Sequence, residues 1–131
     1  MYFKEHILKV TEFMTAFEQE IPKKVTIPSQ RLAEARFGWL AEENDEFLEA
    51  VAKRNKVEMV DALGDQLYVL LGTILACGAQ NIIEKAFSEI HASNMSKLGS
   101  DGKPFKRPDG KVMKGPNYFK PNLKDIINET R

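Results

Sequence analysis

The chain has 131 residues, enough for a single domain, residues 1–131, with its own hydrophobic core. Hydrophobic residues make up 43% and charged residues 29%, as in ordinary soluble globular proteins. The 19 basic side chains balance the 19 acidic ones, so the net charge gives no overall attraction to nucleic acid or to an anionic membrane.

A helical repeat of apolar residues begins close to the N-terminus. Residues 2–20 carry apolar side chains three or four positions apart, which predicts a first helix. Pro22 and Pro28 then bracket an extended link, and Ser29 is a typical N-cap for a second helix that continues to about Lys53. The side chains predicted to face inward from these two helices are Phe3, Ile7, Val10, Phe13, Met14, Phe17, Leu32, Phe37, Leu40, Phe47 and Val51.

Two further helices follow a short break. Asn55 is the predicted N-cap of the third helix, and Gly78 is its predicted C-terminal stop. The longest apolar run, residues 68–79, is too short to cross a bilayer and predicts a buried core helix. The fourth helix is predicted over about 81–98. The side chains predicted to face inward here are Tyr68, Leu71, Leu75, Ile82, Ile83, Phe87, Ile90 and Met95.

The character of the chain changes after Gly99. Residues 99–116 contain four glycines and three prolines, and the turn signal at 108–110 predicts a small hairpin within a basic loop of about 99–121. Asn122 begins a last predicted helix that extends to about Thr130. The predicted fold class is therefore all-α, an antiparallel bundle of four to five helices with its core at about 2–98 and a basic, Gly/Pro-rich C-terminal loop or hairpin.

Acidic side chains are concentrated in the second and third predicted helices. Residues 40–65 hold eight acids against three bases, whereas residues 98–120 hold six bases against two acids. Glu43 and Glu46 are three positions apart, and Asp61 and Asp65 are four apart, so each pair lies on one helix face. Glu58 lies one turn before Asp61. The spacing leaves two interpretations open, a solvated acidic face and a site for a divalent cation.

Two observations favour the cation. The acids of the third helix border apolar residues, where an uncompensated charge costs several kcal/mol. No lysine or arginine occurs between positions 57 and 84 to pair with them. Mg²⁺ and Mn²⁺ prefer carboxylate oxygens, so we expect a Mg²⁺ site, which Mn²⁺ also fits, with open positions for a phosphate. Glu42 adjoins this face and is the candidate general base, because a carboxylate that is not a ligand can accept a proton from water.

Four segments together resemble the all-α nucleoside triphosphate pyrophosphohydrolases, the superfamily of MazG, dimeric dUTPases and phosphoribosyl-ATP pyrophosphohydrolase. Residues 40–46 match its E-E-x-x-E element, residues 61–72 its acidic third helix, and residues 89–97 and 109–116 the MazG-like branch. Ala62 stands where the family has the Glu of its E-x-x-D element. The resemblance implies metal ligands at Glu43, Glu46, Asp61 and Asp65, with Glu58 as an outer or second-metal ligand.

The resemblance also implies substrate-binding residues near the end of the fourth helix, where Asn94 and Lys97 correspond to a pair that contacts phosphate or sugar. Lys111 and Lys114 are candidates for closing over the phosphates, although an exposed role suits each lysine as well. Arg36 is a candidate for a phosphate or intersubunit contact, or for a surface role. Trp39 and Tyr68 offer flat walls for a base, but aromatic residues at helical spacing are more often part of a core.

The expected function is Mg²⁺-dependent hydrolysis of a (deoxy)nucleoside triphosphate to the monophosphate and pyrophosphate, for housecleaning of the nucleotide pool. The alternative is a non-catalytic helical module that binds single-stranded nucleic acid through its basic C-terminal arm. With the enzyme we expect a homodimer or homotetramer and neither a membrane nor a nucleic-acid partner. The lone Cys77 and the lack of an apolar leader predict a cytoplasmic protein.

Overall fold

The computed structural model describes residues 2–129 and confirms the all-α fold class. Its helices are α1 (Tyr2–Ala16), α2 (Gln30–Ala52), α3 (Lys56–Ala76), α4 (Ile83–Met95) and α5 (Leu123–Asn128). The chain divides into two compact units, one up to Gln80 and one from Asn81 onward. The single domain over residues 1–131 stays a prediction, and the predicted helix end at Thr130 lies outside the described residues.

In the first unit, α3 packs against both α1 and α2. The core lies between α1 and α3 and is made of apolar side chains that repeat at helical spacing on each. Met14 and Leu75 are the largest of them with almost no accessible surface, 1% each. The buried residues of this cluster are Ile7, Val10, Met14, Leu71, Leu75 and Ala76.

The predicted helix starts are confirmed, because capping depends on a side chain close in sequence. Ser29 Oγ accepts a hydrogen bond from the Leu32 amide at 3.1 Å and begins α2. Asn55 Oδ1 accepts from the Glu58 amide at 3.1 Å and begins α3. Asn122 caps α5 in the same way.

Two helix ends lie where the sequence carries no glycine. Glu18 has φ 59°, and the Gln19 amide donates to the Met14 carbonyl at 2.8 Å, so α1 ends at Ala16 rather than near position 20. Arg54 has φ 55° in the same motif after α2. Gly78, the predicted stop of α3, is confirmed with φ 66°, and a Cβ there would collide with the carbonyl oxygen of Lys24.

Many apolar residues that were predicted to face inward are exposed. Phe37 is 76% exposed, Phe87 71% and Phe17 65%, and the others with large exposed areas are Phe13, Val51, Tyr68, Ile90 and Met95. A helical repeat of apolar residues identifies a face that avoids water, but it does not say which chain covers that face. The inward predictions for these eight residues are therefore wrong for the isolated chain.

Helix α3 is the most apolar helix of the described chain. By length and composition alone it could cross a membrane, with a mean hydropathy of 1.3 in an 18-residue window of which 28% is buried. Val60, Leu63, Leu67 and Leu70 form an exposed stripe at spacings of three and four. The prediction of a buried core helix is thus correct for one face of α3 and wrong for the other. The apolar run at residues 68–79, which was judged too short to cross a bilayer, is only part of a longer apolar helix.

In the second unit, the C-terminal segment follows α4 from end to end. Ser93 Oγ donates to the Phe119 carbonyl at 2.8 Å, and Glu89 Oε2 accepts from the Asn122 amide at 2.6 Å. The Gly115 amide donates to the Lys97 carbonyl at 2.9 Å. Helix α4 is shorter than the predicted 81–98. Within the described residues, the predicted hairpin is reduced to one antiparallel bridge between Lys106 and Val112.

Candidate active site

The antiparallel hairpin of α2 and α3 places two functional faces against each other. On α2, Arg36, Trp39, Glu43 and Glu46 follow one another at spacings of three, four and three, so they share a face. On α3, Asp65 and Gly72 are seven positions apart, two turns of helix, on the facing side. The shared face therefore has an acidic end at Glu43 and a guanidinium end at Arg36. The two ends are about 10 Å apart along the helix axis.

At the acidic end, three carboxylates from the two helices meet. Glu43, Glu46 and Asp65 each offer an oxygen, and these oxygens all lie within 4.8 Å of one another. Asn44 Oδ1 accepts a hydrogen bond from Gln66 Nε2 at 2.7 Å, which fixes the register of α2 against α3 next to the cluster. The donor set consists of hard oxygens only, as Mg²⁺ or Mn²⁺ requires.

The cluster carries a charge that the described residues do not compensate. Glu43 Oε2 is buried without a hydrogen-bond partner. Burial, then a side-chain hydrogen bond with Glu46 and the charges of Glu46, Asp65 and Asp61, raise the pKa of Glu43 to about 7. Burial and the charges of Asp61 and Glu46 also raise the pKa of Asp65. A divalent cation would supply the missing partner, so the residues fit a metal.

The other predicted acids lie around this cluster rather than in it. Asp61 is close enough for its charge to act on both Glu43 and Asp65. Glu58 lies with Asp61, Glu49 and Lys53 in a neighbouring acidic depression, which Glu46 also lines. The predicted general base, Glu42, is exposed beside Glu43, and both line the adjoining cavity. The direct roles of Glu42, Asp61 and Glu58 stay predictions.

That cavity, of about 360 Å³, extends from the cluster toward Arg36 between α1, α2 and α3. Its walls are mostly apolar and aromatic. Trp39 and Tyr68 both line it and are 42% and 40% exposed, so neither is a core residue. Phe13 packs edge-on against Tyr68 with ring centroids 5.7 Å apart. A cavity of this size with flat apolar walls is suited to a nucleoside.

Arg36 lines the far end of the cavity and is half-buried, and the phosphate, intersubunit and surface roles left open for it stay predictions. Its Nη2 donates to Gln19 Oε1 at 3.3 Å, and its guanidinium carbon lies 5.0 Å from the centroid of the Trp39 ring. Its Nε is buried and has no hydrogen-bond partner among the residues that the structure describes. Burial lowers the pKa of Arg36, with the nearby Cys77 acting in the opposite direction.

A glycine on α3 makes room for this arginine. A Cβ built on Gly72 would lie 2.5 Å from Arg36 Nη1, so the side chain of any other residue would displace the guanidinium. The sequence alone did not indicate this contact, nor the role of Gln19, because the three residues come from separate segments. The Asn44–Gln66 hydrogen bond was missed for the same reason.

The remaining predicted substrate residues lie in the second unit. Asn94 is exposed on α4, and Lys97 is half-buried just beyond its end. Lys111 is exposed in the basic loop, and Lys114 Nζ lies 4.8 Å from the centroid of the Tyr118 ring. The roles of these four residues in substrate binding stay predictions.

The sequence matches the profile of the phosphoribosyl-ATP pyrophosphohydrolase family over residues 10–94, which include α2, α3 and the acidic cluster. The chain belongs to this family, and the predicted all-α pyrophosphohydrolase superfamily is thereby confirmed. Its members define a class of nucleotide pyrophosphohydrolases. Comparison with curated proteins gives no match.

Among solved structures, the fold is similar to that of a protein from Exiguobacterium sp. 255-15 that is assigned, provisionally, as an NTP pyrophosphohydrolase. The two sequences are 21% identical, and the match covers 95% of this chain and 92% of the other with a TM-score of 0.43.

Proposed function

We propose that the protein hydrolyses a (deoxy)nucleoside triphosphate between the α and β phosphates, releasing the monophosphate and pyrophosphate with the help of Mg²⁺ or Mn²⁺. The observation that carries this proposal is the cluster of Glu43, Glu46 and Asp65 beside the aromatic cavity. The acidic cluster suits a metal-bound polyphosphate, and the cavity suits a nucleoside. Family membership favours this enzyme over the nucleic-acid-binding module.

The residues divide the chemistry between them. When bound, the metal would neutralise phosphate charge and hold the reacting groups in place. Glu43, Glu46 and Asp65 would supply oxygen ligands, and Asp61 would add another. Glu42, at the cavity wall, would accept the proton of the attacking water. The new bond joins the water oxygen to the α-phosphorus. The bond from the α-phosphorus to the bridging oxygen breaks, and that oxygen leaves with pyrophosphate.

The family name points to phosphoribosyl-ATP as one candidate substrate, whereas the sequence resemblance extends to enzymes that act on simple nucleoside triphosphates. Both would present the same bond to the cluster. The direct test is an assay of pyrophosphate release, with Mg²⁺ and with excess chelator, on phosphoribosyl-ATP and on the common ribo- and deoxyribonucleoside triphosphates. We expect release from at least one of them and none with chelator. Release of inorganic phosphate alone, or activity that chelator leaves unchanged, would contradict the proposal.

We also propose that a second copy of the chain covers the exposed stripe of α3. Val60, Leu63, Leu67 and Leu70 expose 45–62% of their surface on one face, more than a stable monomer usually leaves in water. A bilayer is a poor alternative, because a carboxylate at its centre costs roughly 2.5–3.5 kcal/mol and α3 carries Glu58, Asp61 and Asp65.

Light scattering coupled to gel filtration tests this assembly. We expect the wild type to run as a dimer or tetramer and Leu67→Glu to run as a monomer. Leu8→Glu changes an equally exposed leucine on α1, 57% exposed, and is the matched control that should leave the assembly intact. A monomeric wild type would contradict the proposal.

We further propose a reducing, cytoplasmic location, which the free thiol of Cys77 suits.

A further inference from the structure

The end of the cavity opposite the acidic cluster presents mainly hydrogen-bond donors. Arginine has five N–H donors and no acceptor. Gln19 uses its Oε1 to accept from Arg36 Nη2, which leaves its amide NH₂ as a second donor group. Arg36 and Gln19 both line the cavity wall, and Arg36 Nε has no hydrogen-bond partner.

The position of the Arg36 guanidinium is fixed by contacts with three other residues. Gly72 leaves the space that the guanidinium occupies, the ring of Trp39 covers it, and Gln19 holds it from α1's C-terminal side. Within the described residues, no salt bridge to Arg36 is present. Because Arg36 lines the cavity, a ligand that supplies an acceptor there would pair with the guanidinium and offset the cost of a half-buried cation without a counter-ion.

The position of Arg36 decides which part of a nucleotide it meets. It lies seven residues before Glu43 on the same face, which is about 10 Å along the helix. If the phosphates bind at the acidic cluster, they are at the other end of the site. The sugar separates the base from the α-phosphate, so the group that reaches Arg36 is the edge of the base.

We propose that Arg36, which donates a hydrogen bond to Gln19 and packs against Gly72, determines base specificity. It selects bases with a carbonyl oxygen at pyrimidine position 4 or purine position 6. This inference rests on the proposed function for the placement of the phosphates, and of the two candidate substrate classes it favours simple nucleoside triphosphates over phosphoribosyl-ATP, whose adenine carries nitrogen at position 6. A carbonyl oxygen accepts from the donors at this end of the cavity. An amino group at the same position is itself a donor, so it would face the guanidinium unfavourably and leave only the adjacent ring nitrogen, N1 of adenine or N3 of cytosine, to accept. Selection against an unmatched polar edge is stronger than selection by size.

Two pairs of nucleotides differ only at this position and in the protonation of the adjacent ring nitrogen, and they test the proposal directly. Inosine and adenosine triphosphates differ at purine position 6, and uridine and cytidine triphosphates at pyrimidine position 4. In pyrophosphate release we expect kcat/KM to favour the carbonyl member of at least one pair by roughly tenfold to a hundredfold, the range set by one buried hydrogen bond. Equal values in both pairs, or a preference for the amino members, would overturn the proposal and leave the proposed function standing.

A binding measurement separates this inference from the chemistry. Trp39 is the only tryptophan of the sequence and lines the cavity, so its fluorescence reports on occupancy without metal or turnover. We expect inosine to quench it at lower concentration than adenosine, or uridine at lower concentration than cytidine. If the nucleosides discriminate in this way and no nucleotide yields pyrophosphate, the specificity proposal stands and the proposed function fails.

Variants assign the preference to Arg36. Arg36→Met should reduce the carbonyl preference to about twofold or less, with the loss of kcat/KM falling mainly on the carbonyl members of the two pairs. Gly72→Ala keeps the arginine but places a methyl group against its Nη1, so it should reduce the preference as well. Gly64→Ala is the matched control on the same helix, because a Cβ there has no atom within 4 Å, and it should keep the preference.

Circular dichroism and thermal unfolding check that Arg36→Met is folded. If Arg36→Met does not fold, the base preference of Gly72→Ala tests the role of Arg36 instead. A preference that survives in both Arg36→Met and Gly72→Ala would overturn the assignment to Arg36. A loss of preference in Gly64→Ala as well would show that any change of α3 abolishes it, which also contradicts a specific role for the arginine.

Discussion

The two ends of the α2–α3 face carry opposite charges that do not neutralise each other. At one end, Glu43, Glu46 and Asp65 are held together with a buried oxygen left unpaired. At the other end, Arg36 is half-buried with an unpaired nitrogen. Seven residues of helix separate Arg36 from Glu43, about 10 Å, which is too far for an ion pair. A protein that needed only stability would have brought these charges together or omitted them.

The two ends therefore indicate different ligand groups along one molecule. The acidic end lacks a cation, and the arginine end lacks a hydrogen-bond acceptor. A metal-bound polyphosphate with a carbonyl-bearing base would provide both, with its sugar in the aromatic cavity between them. Changes at the acidic end should therefore leave nucleoside binding beside Arg36 intact.

The largest effect is expected from removing a charge at the acidic end. Glu46→Gln and Asp65→Asn keep the shape of the side chains but remove metal ligands, so turnover should fall by at least about a hundredfold. Thermal stability of the metal-free protein should stay the same or rise, because repulsion in the cluster is relieved. The exposed Asp45 lies in the same segment of α2 outside the cluster, and Asp45→Asn is the control. A near-wild-type rate in Glu46→Gln or Asp65→Asn at saturating Mg²⁺ would exclude that residue as a ligand.

A smaller effect is expected at Glu42, because this residue is proposed to move a proton and not to hold the metal. Glu42→Gln should lower kcat by roughly 10²–10⁴-fold, the usual contribution of a general base. Mg²⁺ affinity and nucleoside quenching of Trp39 should be nearly unchanged. If the variant loses Mg²⁺ affinity as severely as Glu46→Gln, then Glu42 is itself a ligand and another group is the base.

The raised pKa of Glu43 predicts how pH acts on the metal-free protein. The folded chain binds this proton more tightly than the unfolded chain, since the pKa rises from 4.5 to about 7. The stabilisation is therefore complete below about pH 4.5 and is lost as the pH rises through about 7. Melting temperatures in chelator from pH 4.5 to 8 should fall more for the wild type than for Glu43→Gln. Parallel curves for the two proteins would show that Glu43 does not titrate in this range.

The smallest effect concerns the turn that joins α2 and α3, where Arg54 belongs neither to the acidic cluster nor to the lining of the cavity. Arg54 has φ 55°, a left-handed conformation that costs a non-glycine residue roughly 1–2 kcal/mol. Arg54→Gly should therefore raise the free energy of unfolding by about 0.5–1 kcal/mol without changing kcat. Lys53, one residue earlier, has φ −81° and is the control, because glycine there should destabilise. Chemical denaturation measures both, and a destabilised Arg54→Gly would contradict the strain argument.

How far the sequence could predict this fold depends on how local each feature is. The N-caps at Ser29, Asn55 and Asn122 and the stop at Gly78 use chemistry within a few residues and were predicted correctly. The ends of α1 and α2 were harder, because Glu18 and Arg54 adopt positive φ without a glycine to indicate it.

The same distinction holds for the site. Spacing along each helix predicted that Glu43 shares a face with Glu46, and Asp61 with Asp65. It could not predict that Asp65 joins the tight cluster while Asp61 lies beside it, because that depends on the rotation of α3 against α2. The contacts of Arg36 could not be predicted from the sequence at all, since Gln19, Arg36 and Gly72 come from three segments that meet only in the folded chain.

Calorimetric titration of Mg²⁺ into the metal-free protein at pH 7 shows whether the cluster of Glu43, Glu46 and Asp65 binds a divalent cation. We expect saturable binding to the wild type and to Asp45→Asn, with at least about tenfold weaker binding to Glu46→Gln and Asp65→Asn. We also expect a heat that depends on the buffer, because Glu43 is partly protonated at this pH and must release its proton to bind a cation. Absence of saturable binding, or equal binding by all four proteins, would contradict a metal site at this cluster.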